Sequence, residues 1–129
     1  MSTYKDLIVW QKGMELSRVV YRLCMAFPRE ETFCLSSQMR RAVVSIPSNI
    51  AEGYGRDSDN EKVHFMHISL GSAFELETQL MLSHDLKFVG DEEYTTALQL
   101  VTEVKKMLSS LIYRLRFPRS TSRRSQEAY

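Results

Sequence analysis

Glycine and proline are scarce here, five and three among 129 residues. Little of the chain can therefore be turn, and the abundance of Leu, Met, Glu, Arg and Ala points to an all-helical protein. No window approaches the roughly 18 uncharged apolar residues that a membrane span needs. The start, Met1-Ser2-Thr3-Tyr4-Lys5-Asp6, lacks a basic segment leading into an apolar one, which argues against a signal peptide. Cys24 and Cys34 belong to no CxxC or Cys/His pattern and read as reduced thiols of a cytoplasmic protein.

Marks of catalysis are missing as well. Neither cysteine has a histidine nearby in sequence, so no nucleophile meets a base. No glycine loop for phosphate is present, and Glu52-Gly53-Tyr54-Gly55-Arg56 reads as a helix-ending turn. Glu61-x-x-His64 has the spacing of a carboxylate-bridged di-iron bundle, with His67 one turn on. Such sites use two of these motifs, and Glu61 is better explained as half of a capping box. No enzyme, cofactor or metal site is expected.

What is present is an ordinary globular composition, 43% apolar and 26% charged, in a length that suits one domain. The charge is uneven. Arg114 to Tyr129 carries five arginines (Arg114, Arg116, Arg119, Arg123 and Arg124) against one acid, Glu127; this net +4 leaves the rest at −3 within an overall +1. Residues 118–129 read as a basic, disordered tail behind a bundle of residues 1–117.

Apolar periodicity predicts four helices. The first runs from Asp6 to Ala26, with Leu7, Trp10, Met14, Tyr21 and Cys24 recurring at helical steps and Leu16, Val19, Val20 and Leu23 widening the apolar face, and Pro28 ends it. The second begins near Glu30 or Glu31, whose charges suit a helix N-terminus, and carries Leu35, Met39, Ala42, Ile46 and Ile50. Pro47 interrupts that stripe, removing an amide and clashing with the Val43 carbonyl, so a kink or break is expected near Ile46. Gly53 and Gly55 close this helix. Ser58-Asp59-Asn60-Glu61 has the spacing of a capping box for a third helix reaching about Lys87, roughly 45 Å long. Gly90-Asp91 opens the fourth, striped by Tyr94, Ala97, Val101, Val104, Leu108, Leu111 and Leu115, and Pro118 stops it. Short connections between four helices predict an antiparallel up-down-up-down bundle.

Helix 3 breaks its own pattern. Continued by threes and fours, its stripe places Glu77 and His84 where core is expected. A buried carboxylate needs a partner, and Arg40 and Arg41 beside the helix 2 stripe are the obvious donors, with Glu52 and Glu75 as further acceptors. These five read as an ion-pair network between helices 2 and 3; the alternative is that both arginines face solvent and contact phosphate. Ser69, Gly71, Ser72 and Ala73 form a small-residue patch that suits a close helix approach. Phe65, Ile68, Phe74 and Leu76 on helix 3, and Leu98, Leu100, Met107 and Ile112 on helix 4, exceed one stripe per helix and argue for self-association. Arg18 and Arg22 share a face of helix 1, with Lys12 and Arg29 near its ends. With the arginines of the tail they are the candidate nucleic-acid contacts, RNA or DNA.

Five motifs in order carry a family resemblance: Asp6-Leu7-x-Val9-Trp10-Gln11-Lys12, Phe27-Pro28-x-x-Glu31, Leu35-x-x-Gln38-x-Arg40-Arg41-Ala42, Ser45-Ile46-Pro47-x-Asn49-Ile50-Ala51-Glu52-Gly53 and Gly71-Ser72-x-x-Glu75-Leu76-Glu77-Thr78. Across residues 4–116 the chain resembles the bacterial four-helix-bundle proteins encoded within 23S rRNA intervening sequences. The accessory variability determinant of diversity-generating retroelements is similar to these. The resemblance implies an antiparallel bundle assembling as a homopentamer, with no known catalytic activity in the intervening-sequence branch. For the retroelement branch it implies binding of nucleic acid and of a reverse transcriptase. This chain departs from that branch in lacking a strong positive excess. Arg40, Arg41, Glu52, Glu75 and Glu77 match the motifs, and the resemblance assigns them no role. The expectation is a cytoplasmic bacterial interaction protein that binds itself and nucleic acid; the alternative is an accessory factor for a polymerase-type partner.

Overall fold

The computed structural model describes residues 3–31 and 34–118. The expected disordered tail, with Arg119, Arg123 and Arg124, lies outside the described residues except for Pro118. Among the described residues the chain is all-α: four α-helices and no strand. They are α1 (Ile8–Cys24), α2 (Leu35–Tyr54), α3 (Asp59–Asp85) and α4 (Asp91–Arg116), with 3-10 turns at Tyr4–Asp6 and Arg29–Glu31. α2 packs on α1 and α3, and α4 on α3 and α1, around one core.

α1 starts two residues later than expected, because a 3-10 turn with its own capping box precedes it. Thr3 Oγ1 accepts from the Lys5 amide at 3.2 Å, and the Thr3 amide donates to Asp6 at 3.3 Å. α1 buries Leu16, Val20, Leu23 and Cys24 of the apolar face read in the sequence and adds Val9 and Gly13, while Tyr21 is exposed. Gly13 holds a core position without an apolar side chain, so it is silent in a hydrophobic pattern. A methyl there would stand 3.4 Å from both Ile46 and Pro47, in contact with α2.

α2 buries Met39, Ala42, Ile46 and Ile50 as its stripe predicts, and adds Val43 and Pro47. The helix runs unbroken through Pro47. Proline leaves the Val43 carbonyl without its usual amide. Ser17 on α1 supplies a substitute: its hydroxyl lies 3.3 Å from that carbonyl and 2.8 Å from the Gly13 carbonyl. α2 thus continues through Pro47 with a polar group of α1 beside the freed carbonyl. α2 ends where the glycines suggest, with Gly55 as its C-cap residue. Gly53 lies in the last turn of α2, buried, where a Cβ would come within 2.7 Å of Phe65. Lys62 of α3 adds to the cap, its ammonium donating to the Tyr54 and Arg56 carbonyls.

A polar seam joins α2 to α3. Ser69 donates to the Ile46 carbonyl at 2.9 Å, Ser72 to the Ser45 hydroxyl at 2.8 Å, and Asn49 to the Ser45 carbonyl at 2.8 Å. Nearer the other end, Ser83 lies 3.3 Å from the Met39 sulfur. Three of the four small residues of α3 therefore face the bundle, since Ala73 is buried too. Gly71 is the exception: it is exposed, with nothing within 4 Å of where a Cβ would stand.

The expected Ser58–Glu61 box is half formed, with Ser58 Oγ accepting from the Glu61 amide at 3.2 Å. At the far end of α3, Lys87 takes a left-handed φ of 64°. The Phe88 amide then reaches the Ser83 carbonyl at 2.9 Å and the Lys87 amide reaches that of His84 at 3.0 Å. This pattern caps a helix C-terminus, with lysine where glycine is usual. α4 buries Ala97, Val101, Val104 and Leu108 as expected, and Leu100 and Ile112 widen the face. Leu76, Leu100 and Ile112, read as surplus apolar residues, are core; Ile68 and Phe74 remain exposed.

Candidate nucleic-acid interface

Two of the stretches read as basic in sequence have different surroundings. On α1, Arg18 and Arg22 are both exposed. Their neighbours include acids: Lys12 pairs with Glu103 at 2.9 Å, and Arg22 lines a cavity of about 570 Å³ with Glu92 and Glu93 of α4. The Lys12 pair, with Glu103 as main cause and a smaller push from Glu15, holds that ammonium above its ordinary range. A cation row with acids beside it offers a polyanion little.

The second half of α4 is different. From Val104 to Gln126 the sequence holds seven cations, Lys105, Lys106, Arg114, Arg116, Arg119, Arg123 and Arg124, and no acid. Helix geometry places Lys106, Tyr113 and Phe117 along the line of α4 that points away from its buried stripe. The rings of Tyr113 and Phe117 sit 4.9 Å apart, tilted by 45°, and are 56% and 57% exposed. Arg116 donates to His67 Nε2 of α3 at 2.9 Å. A guanidinium only donates, so His67 Nε2 is the acceptor. Arg114 stands half-exposed on the α1 side of the rings. Cations on both flanks of an exposed aromatic pair can meet phosphates and bases together.

The proposed helix 2–helix 3 network does not gather as expected. Glu77 pairs with Lys105 of α4, at 2.9 and 2.8 Å, on the side of α3 away from the α2 seam. Both side chains are partly exposed, 23% and 20%, so the carboxylate is not a deeply buried charge seeking an arginine. Lys105 also stands 4.8 Å over the Phe74 ring. Glu52 pairs with Arg56 one turn on, at 3.0 Å. Arg40, half-buried, bonds the Ser36 hydroxyl at 2.5 Å and lines a polar cavity with Cys24 and Arg29. Arg41 and Glu75 are exposed. His84, also read into the core, is half-exposed, stacked on Tyr94 and bonded to Asp91 at 2.7 Å.

Among the described residues no group of three or more His, Cys, Asp or Glu is placed to hold a metal. His64 packs edge-on against Phe65, and Glu61 accepts from Ser58 at 3.1 Å. The sequence reading found Arg114 and Arg116 but passed over Lys106, Tyr113, Phe117 and His67. The four-residue spacing of Tyr113 and Phe117 was the available signal; the Arg116–His67 contact joins two helices and leaves none.

A family model described as 23S rRNA-intervening sequence protein matches residues 5–110. The chain belongs to that family. The match takes in all four helices except the last turns of α4, so the ring pair and its arginines lie just beyond it. No curated protein matches this chain. Among solved structures, this member of the intervening-sequence family is similar to a protein of unknown function from the S23 ribosomal protein family of Bacteroides thetaiotaomicron VPI-5482. The two are 29% identical, with a TM-score of 0.73 over 81% of this chain and 98% of that one.

Proposed function

We propose that this intervening-sequence family member is a non-enzymatic, self-associating helical bundle that binds nucleic acid at the C-terminal end of α4. The observation that carries the reading is the pair of exposed rings at the end of α4 with Arg114 and Arg116 beside them, in a stretch of sequence that holds seven cations and no acid. An antiparallel up-down-up-down course with α2 bent at Pro47 completes the fold reading. The antiparallel course is supported by the order of the contacts: Met39 meets Ser83, Ser45 meets Ser72 and Gly53 meets Phe65, so numbers rise on α2 as they fall on α3. Ser17 with Val43 and Cys24 with Ser36 give the same sense for α1 and α2.

Assembly into a homopentamer is part of the proposal. Val44 on α2 and Ile68, Met81, Leu82 and Leu86 on or just after α3 are exposed apolar residues that a second copy would cover. Several copies would also multiply the arginine clusters, which answers the small overall charge. No helix is long and apolar enough to cross a membrane; a cytoplasmic location fits and is proposed with the rest. Binding to structured RNA and duplex DNA across a salt series, with mass read by light scattering, tests the reading. Affinity that falls with salt in an oligomer supports it, and absence of binding at low salt removes the nucleic-acid part.

A further inference from the structure

Resting on the nucleic-acid reading above, we propose that the polymer is single-stranded and that Tyr113 and Phe117 stack its bases. The two rings stand one helical turn apart, each more than half exposed, with 4.9 Å between centroids. A duplex hides its base faces inside the stack, so exposed rings gain little from it. A single strand presents a face at every nucleotide, and any base can use it.

The cations around the rings fit a strand's backbone. Arg116 is held on the α3 side by His67 at 2.9 Å, which keeps its guanidinium beside the rings. Arg114 stands on the α1 side, and Lys106 lies two turns earlier on the same line as Tyr113. A further exposed ring, Phe74 on α3, has the Lys105 ammonium 4.8 Å over its face. The same rings set in a subunit seam would take Lys106 and Arg116 out of water with them, and the cations argue against that use.

The test uses the full chain with labelled oligouridylate and an RNA duplex of equal length, read by anisotropy across a salt series. Y113A and F117A are surface changes, and circular dichroism checks that each variant folds. Each should weaken single-strand binding roughly tenfold, the scale of one base–ring stack, with the salt slope unchanged. Y113F, which keeps the ring, should bind like the parent. R116Q should instead lower the salt slope by about 0.7, the share of one phosphate contact on a single strand. Single-strand affinity untouched by Y113A and F117A would overturn the stacking proposal and leave phosphate binding standing. Equal losses on the duplex would overturn it too, as would a fall in oligomer mass, which would make the rings a subunit contact. No binding of either polymer at low salt would remove the underlying nucleic-acid reading and this proposal together.

Discussion

Gly53 and Gly71 are the same residue type in two helices, with opposite uses. A Cβ on Gly53 would meet Phe65 at 2.7 Å, a distance that forces α2 and α3 apart. Gly53→Ala should therefore destabilise the fold by about 1–3 kcal/mol, the cost of overpacking. Gly71 is helical, exposed and unopposed, so Gly71→Ala should stabilise by about 0.5–1 kcal/mol through helix propensity. Chemical denaturation of both variants checks the pair, and a common sign would contradict the packing described. Glu77→Ala tests a different point. Stranding a buried charge costs roughly 3–5 kcal/mol. The Glu77–Lys105 pair is partly exposed, so the expected loss is about 1 kcal/mol or less. The two cysteines should also differ. Burial pushes the Cys24 thiol up, against smaller downward pulls from its Ser36 hydrogen bond and from Arg40, while Cys34 is exposed. Iodoacetamide should label Cys34 first in the native protein. Cys24's contribution to stability should be full below the ordinary thiol range and fade as pH rises through it. Equal labelling rates would contradict the burial of Cys24.

At the scale of the helix, Pro47 shows where a local rule meets its neighbours. The rule gives a lost amide and an orphaned Val43 carbonyl. It cannot give the Ser17 hydroxyl, which comes from α1, or the bare Gly13 surface that Pro47 packs on. That is why the α2 stripe was legible and its continuity was not. Ser17→Ala should cost about 1 kcal/mol in the parent chain. In a Pro47→Ala background residue 47 regains its amide, so the same change should cost markedly less. A double-mutant cycle with coupling near zero would show that Ser17 does not serve the Val43 carbonyl. On α1 the apolar face was legible through Leu16, Val20, Leu23 and Cys24; the buried Gly13 carries no apolar side chain to show, and Tyr21 is exposed.

For the molecule as a whole, the four helices followed from apolar period, capping residues and the prolines Pro28 and Pro118, with α1 and α2 starting later than read, at Ile8 and Leu35, behind short 3-10 turns. The α4 stripe was the clearest because every position in it is apolar. α3 was the least clear, since it buries Ser69, Gln79 and Ser83 among its apolar residues. Glu77 was misplaced for a related reason: a period names a face but not which neighbour that face meets. The site was half legible. Arginine clustering showed in the sequence, whereas the pairing of Arg116 with His67, and the acids beside Arg22, needed the fold. Together they separate an α1 row set among acids from the last turns of α4, where Arg114 and Arg116 flank two exposed rings in a stretch of sequence without acids, and the central claim rests on that separation. Its most direct test is a salt titration of the full chain, and of a truncation after Phe117, against single-stranded RNA, structured RNA and duplex DNA, with light scattering in the same buffers. The account predicts an oligomer whose binding weakens steeply with salt, and a shallower slope once Arg119, Arg123 and Arg124 are removed. An oligomer that ignores all three polymers at low salt would contradict it.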